Sequence, residues 1–295
     1  MRVLLAALNA PKGEVAGNLE RHLAVLERAR AEGGALAVFP EFSLTGSVDP
    51  ASHPERALPV DAEPVRALAA ATRRTGVAAV FGIAERAGAA FHITQVYARA
   101  GRVRGVYRKR HLGEGEQAYQ VGDGGVFQLG AVRFGVALCA EGGVDLPWTE
   151  AAGGGASLVL FCSAPGLYGG APTSAAGATG TPGGWSGGSA TRCGTPGGWG
   201  CGWRWPPRRA MQDEDFPGLA VLVSPSGEVT RLPDWRPGTL SVEVPGGRRR
   251  ERSGCSPAVA LSPPAAAAGA GPGDHRGGGG TDGQGRRRHP RLAAG

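Results

Sequence analysis

Three chemically distinctive side chains each stand at the end of a short strand-like run. Glu41 follows Leu36-Ala-Val-Phe-Pro, Lys109 follows Arg102–Tyr107, and Cys139 closes Val132-Arg-Phe-Gly-Val-Ala-Leu. In an open α/β sheet ligands bind beyond strand ends, so groups placed this way converge on one pocket. A carboxylate beside a thiol removes its proton, and an ammonium stabilises negative charge developing on an attacked atom.

Each residue alone has a plainer reading. Cys139 lies in an apolar run, where a buried thiol is usually inert. Glu41 after Phe-Pro fits a solvated loop acid. Lys109 carries an extra argument: the chain has two lysines, Lys12 and Lys109, against thirty arginines. Where a bare charge suffices Arg appears, as on both sides in Arg108-Lys-Arg, so a retained lysine asks for a compact ammonium rather than a planar fork. Gly122-Asp-Gly-Gly lacks the following helix and Gly-Lys-Ser/Thr ending of a phosphate loop and reads as a turn. His53, His92 and His111 lack metal-ligand spacing. His111 beside Lys109 either lines the pocket or makes a structural hydrogen bond.

The elements that must hold these groups read as an α/β domain over residues 1–165. Val3–Leu8, Ala35–Phe39, Val77–Ile83, Phe91–Tyr97, Val132–Leu138 and Ser157–Phe161 are predicted strands, with helical patterns between them. Asn18 is placed to cap the first helix, Leu19, Leu23 and Leu26 recur at helical spacing, and Gly33-Gly34 stops it. A hairpin-like pair around Phe91–Tyr107 makes the sheet mixed. Order also returns late, with strands at Leu219–Val223, Glu228–Leu232 and Thr239–Val244 and a turn at Ser224-Pro-Ser-Gly.

Composition separates the rest. Of 52 glycines among 295 residues, 27 fall in residues 166–205 and 246–295. Neither stretch has a Gly-X-Y period, which excludes collagen, and no apolar run approaches a membrane span. The formal charge is +7, but +6 belongs to residues 246–295, with nine arginines against three acids. A nucleic-acid-binding face is therefore not implied. Five irregularly spaced cysteines describe neither a disulfide framework nor a zinc site, and the chain is placed in the reducing cytoplasm.

Phe39-Pro-Glu-Phe-Ser-Leu-Thr-Gly46, Tyr107-Arg-Lys-Arg-His-Leu112 and Val136-Ala-Leu-Cys-Ala-Glu141, in this order, resemble the three signature blocks of the nitrilase superfamily, the carbon–nitrogen hydrolases. The resemblance covers residues 1–165 and returns at 216–245. It implies a four-layer α-β-β-α sandwich over residues 1–245 and a Glu-Lys-Cys triad: Glu41 the general base, Lys109 the stabiliser of the tetrahedral intermediate, Cys139 the nucleophile. It also implies that Glu116 positions the substrate or the lysine and that the Ala140 N–H joins the oxyanion site. Glu141 and His111 complete the residues expected around the substrate. The implied reaction is hydrolysis of a small amide, nitrile or carbamoyl compound through a thioester. It needs no cofactor or metal, involves no nucleic acid or membrane, and is carried out by a possible homo-oligomer. Ala140 stands where an aromatic residue is frequent, and Cys162-Ser-Ala where Pro-Ser-Ala is common.

Residues 166–210 depart from this pattern. They carry Thr-Pro-Gly-Gly-Trp repeats and Trp185, Trp199, Trp203 and Trp205 where relatives have a substrate loop, a helix and a central strand. From near Gly169 to Arg209 the text reads as out of frame or disordered, and residues 246–295 as a low-complexity tail. Two alternatives stay open at this point: an incomplete, inactive product that keeps the motifs, and a binding module using the basic tail.

Overall fold

The computed structural model describes residues 1–164, 219–225, 228–231 and 237–245. The irregular stretch at 166–210 and the tail at 246–295 lie outside the described residues, as do parts of the predicted turn at 224–227 and of the strand reaching Leu232.

Two mixed sheets form the centre. The first has six described strands in the order β11-β1-β2-β3-β4-β5, the second five in the order β10-β9-β8-β7-β6. In the first, β1 (Arg2–Ala7) runs parallel to β2 (Leu36–Val38), β2 parallel to β3 (Ala78–Ala87), and β1 antiparallel to β11 (Gly238–Glu243). The expected hairpin is β4 (Ala90–Arg99) against β5 (Arg102–Arg108), turned at Ala100 and Gly101, both at positive φ. In the second sheet β7 (Val132–Leu138) lies parallel to β8 (Leu158–Ser163), flanked by β6 (Phe127–Leu129) and β9 (Leu219–Val223); β10 (Val229–Thr230) pairs on β9.

Strand alternation gives each sheet two apolar faces, hence the layering. Val3, Leu5, Leu36 and Val38 of the first sheet pack with Val136, Leu138, Leu160 and Val221 of the second in a shared core. The opposite face of the first sheet, with Leu4, Ala37, Ala79 and Phe81, is covered by α1 (Val15–Ala31) and α2 (Glu63–Thr75). A short helix, α3 (Leu146–Gly153), covers the second sheet. The result is the expected α-β-β-α sandwich. Such burial of aliphatic surface, at roughly 25 cal/mol per Å², is the main term holding the layers.

Two local expectations are corrected. Asn18 does not cap α1: the helix starts four residues earlier than a cap there would allow, behind Glu14, which makes no side-chain cap bond. Asn18 is instead fully buried, its Nδ2 donating to Pro11 O at 3.0 Å and Leu44 O at 3.1 Å. The helix thereby clips the loop that follows β2, a tertiary use that outranks the local cap preference. The Gly122-Asp-Gly-Gly stretch is irregular rather than a turn. The Arg108 N–H donates to Asp123 O, and the Gly122 N–H to Lys109 O.

Candidate active site

The loop after β2 leaves the sheet at Phe39 and reverses at Phe42, a non-glycine residue at φ 55°. Its shape is fixed from below. Leu44 N–H donates to Gly82 O, and Gly82 N–H donates to Ser43 Oγ at 3.1 Å. Ser43 in turn meets buried His22, whose Nδ1 sits 2.7 Å from Asn18 O and whose Nε2 sits 3.0 Å from Ser43 Oγ. A carbonyl accepts only, so Nδ1 carries the proton and Nε2 accepts from the serine. Burial keeps this imidazole neutral, pulling its pKa to about 4.

This frame turns Glu41 inward. The residue is 2% exposed, so it is not a solvated loop acid. Its Oε1 accepts from Lys109 Nζ at 2.8 Å, and its Oε2 from the Ala164 N–H at 3.2 Å. Lys109 is fully buried and also donates to Glu116 Oε1 at 2.7 Å. Glu116 is held by the Gly113 N–H on its other oxygen. Lys109 thus bridges two buried carboxylates, a setting that suits the compact ammonium for which the scarcity of lysine argued. The flanking arginines are not bare charges: Arg108 grips buried Glu85 bidentately, at 2.6 and 2.8 Å, and Arg110 pairs with Glu150.

Cys139 leaves β7 at φ 40° and opens a 3-10 turn, Cys139–Gly143. The residue is half-buried, with its sulfur inside the cluster. Burial is the largest influence on the thiol and, with the Glu41 charge, pushes its pKa up to about 12 against the opposing pull of Lys109 and Ser163. Burial likewise raises Glu41 to about 7; Lys109 works against this and Glu116 with it. Burial alone would lower Lys109, but Glu41, Cys139 and Glu116 outweigh it and hold the lysine protonated. An acid poised near neutrality, a permanent cation and a thiol therefore meet in one desolvated place, as nucleophilic catalysis requires.

The remaining expected site residues fall differently. Glu141, fully buried, accepts at Oε1 from the Arg110 N–H (2.6 Å) and His111 N–H (3.2 Å). At Oε2 it accepts from the Leu138 N–H (2.8 Å) and Tyr107 Oη (2.9 Å). Four donors fill the four acceptor positions of a carboxylate, leaving none for a ligand. Glu141 ties the backbone beside Lys109 to the backbone beside Cys139. His111 has an exposed side chain and reaches this knot through its N–H alone. Ala140, partly buried, lies in the first turn after the sulfur, facing Gly113. Reasoning from sequence missed Ser43, His22, Gly82 and Ser163. Of these, Ser43 lies inside the first quoted block and Ser163 inside the Cys162-Ser-Ala tripeptide, whereas His22 and Gly82 carried no local signal.

The model of the carbon–nitrogen hydrolase family matches residues 4–252. Among curated proteins, the chain is 32% identical over 175 residues to the glutamine-dependent NAD(+) synthetase of Xylella fastidiosa, covering 56% of this chain and 32% of that one. It is 31% identical over 154 residues to an (R)-stereoselective amidase of Pseudomonas sp, covering 52% and 55%. The chain thus spans about a third to about half the length of these curated relatives. Among solved structures, an amidase from Nesterenkonia sp. superposes with a TM-score of 0.57 at 17% identity, over 85% of this chain and 94% of that one. A glutamine-dependent NAD+ synthetase from Acinetobacter baumannii gives 0.55 at 16%, over 81% and 44%. Another structure of the Nesterenkonia amidase carries the acetamide moiety of fluoroacetamide added covalently at its active-site cysteine.

Proposed function

This chain belongs to the carbon–nitrogen hydrolase family, and on that premise we propose that it cleaves the C–N bond of a small amide through Glu41, Lys109 and Cys139. The observation that carries the reading is the convergence of the three groups: a lysine bridging two buried carboxylates, with the thiol inside their field. In this reading Glu41, near pKa 7, takes the thiol proton as Cys139 Sγ attacks the carbonyl carbon. Lys109 and the Ala140 N–H stabilise the resulting oxyanion. The proton passes from Glu41 to the departing nitrogen, the C–N bond breaks, and ammonia leaves a thioester on Cys139. Glu41 then deprotonates a water that opens the thioester, releasing the acid and restoring the thiol. Glu116 holds Lys109 in place throughout.

Amides lead nitriles and carbamoyl compounds because the relatives point there: one is named for its dependence on glutamine, another as a stereoselective amidase. The test is ammonia release by the full chain from a panel of primary amides, ureido acids and nitriles, with Cys139→Ala as control. Release from amides that the substitution abolishes supports the reading. No release from any compound favours the inactive, motif-bearing alternative.

A further inference from the structure

The end of β8 supplies the site twice. Ala164 gives its N–H to Glu41 Oε2, and the residue before it, Ser163, is 1% exposed. In the parallel β7–β8 ladder the last paired residues are Leu138 and Cys162, so the next residue on each strand, Cys139 and Ser163, emerge side by side. Among the described residues Ser163 Oγ forms no hydrogen bond of full geometry with any partner. The register places it beside Cys139, and its influence on that thiol favours the thiolate.

A buried hydroxyl without a partner costs about 1–3 kcal/mol, so its persistence calls for a use outside stability. The charges around the sulfur explain the need. Glu41 and Glu116 both oppose a thiolate, whereas Lys109, which favours it, is already committed to those same two carboxylates. Cys162, fully buried in the strand beside Ser163, has no charge of its own to offer there. A neutral donor is the group that adds thiolate stabilisation without strengthening the base's hold on the lysine.

Resting on the reading of Cys139 as nucleophile, we infer that the Ser163 hydroxyl is a further catalytic group, donating its hydrogen bond to the Cys139 sulfur when the thiol loses its proton to Glu41. The hydroxyl is unpartnered in the resting thiol form because the thiol is a poor acceptor, and it is engaged when negative charge appears. This is an interaction made in the reacting state rather than the ground state, the kind that accelerates a reaction.

The test compares Ser163→Ala and Ser163→Thr with the parent chain, measuring iodoacetamide modification of Cys139 by peptide mass at pH 7 to 10, together with thermal unfolding. Hydrogen bonds to charged groups are strong enough to predict about a tenfold slower modification in Ser163→Ala at each pH. Its melting temperature should be unchanged or higher, and Ser163→Thr, which keeps the hydroxyl, should stay near the parent rate. Modification of Ser163→Ala at the parent rate overturns the inference while leaving Cys139 as nucleophile. So does a lowered melting temperature in that variant, which would reveal a structural partner. A parent chain whose Cys139 is unreactive in the native state overturns both this inference and the proposed function.

Discussion

The backbone amide of Phe42 rests directly on Gly82, so closely that a methyl group on Gly82 would overlap it, along with the carbonyl groups of Glu41 and Pro40. The contact is made where the loop after β2 turns back over β3, and it sets the direction in which Glu41 leaves the loop. The approach of two backbones thus acts together with the Ser43 and His22 side-chain bonds to aim Glu41.

Gly82→Ala is therefore expected to displace the loop. The overlap is with backbone, which has no flexible end to swing aside, so the cost is about 1–3 kcal/mol or more. Urea unfolding should show that loss, and amide hydrolysis should fall further than the stability change alone explains. Unaltered stability and turnover would mean that the loop has slack.

His22 predicts an acid-sensitive fold. Its folded pKa of about 4 lies below the ordinary value of 6.5 because burial disfavours the charged ring. The unfolded chain therefore takes up the proton first as pH falls. The stabilisation is complete above about pH 6.5 and is lost between there and about pH 4, a total of about 3 kcal/mol. Unfolding free energies measured from pH 7 to 4 should show this slope, and His22→Asn should flatten it. An equal slope in both proteins would assign the acid sensitivity to other groups.

Lys109→Arg and Lys12→Arg form a matched pair, since these are the two lysines of the chain. Lys12 is exposed, and its replacement should leave turnover unchanged. At fully buried Lys109 a planar fork cannot reproduce bonds of 2.7 and 2.8 Å to two carboxylates. Turnover should drop on the order of 10²–10³-fold, the usual effect of removing one charge-stabilising donor. Comparable activity in the two variants would remove Lys109 from the chemistry.

Glu141→Gln separates positioning from substrate binding. An amide presents one oxygen and one NH2, so two of the four protein donors lose their acceptor. We expect kcat to fall with KM little changed, because the Lys109 and Cys139 loops lose their common anchor. A rise in KM at constant kcat would return Glu141 to the substrate-facing set.

The site was legible to the extent that it sits at strand ends. Glu41, Lys109 and Cys139 each follow a strand whose pattern announces it, and β7 begins and ends where its apolar run does. What stayed illegible is tertiary. Asn18 looked like a cap because local preference for that role is strong, but a contact with Leu44, across 26 residues, decides its use. Gly82 lies mid-strand, and nothing nearby in sequence tells that another backbone will land on it. Glu141 follows Cys139 closely and so resembled a substrate ligand. Four donors, from Tyr107, Arg110, His111 and Leu138, already surround it in the fold.

The coupling of Glu41 to Cys139 is tested by the rate of Cys139 alkylation between pH 5 and 9 in the parent chain and in Glu41→Gln, with the fully buried Cys162 as internal reference. Cys139 should be modified well ahead of Cys162, at a rate that falls away below about pH 7 as Glu41 becomes protonated and is about 10²-fold or more slower in Glu41→Gln. Equal rates at the two cysteines, or a Cys139 rate that ignores the loss of the Glu41 carboxylate, would contradict that coupling.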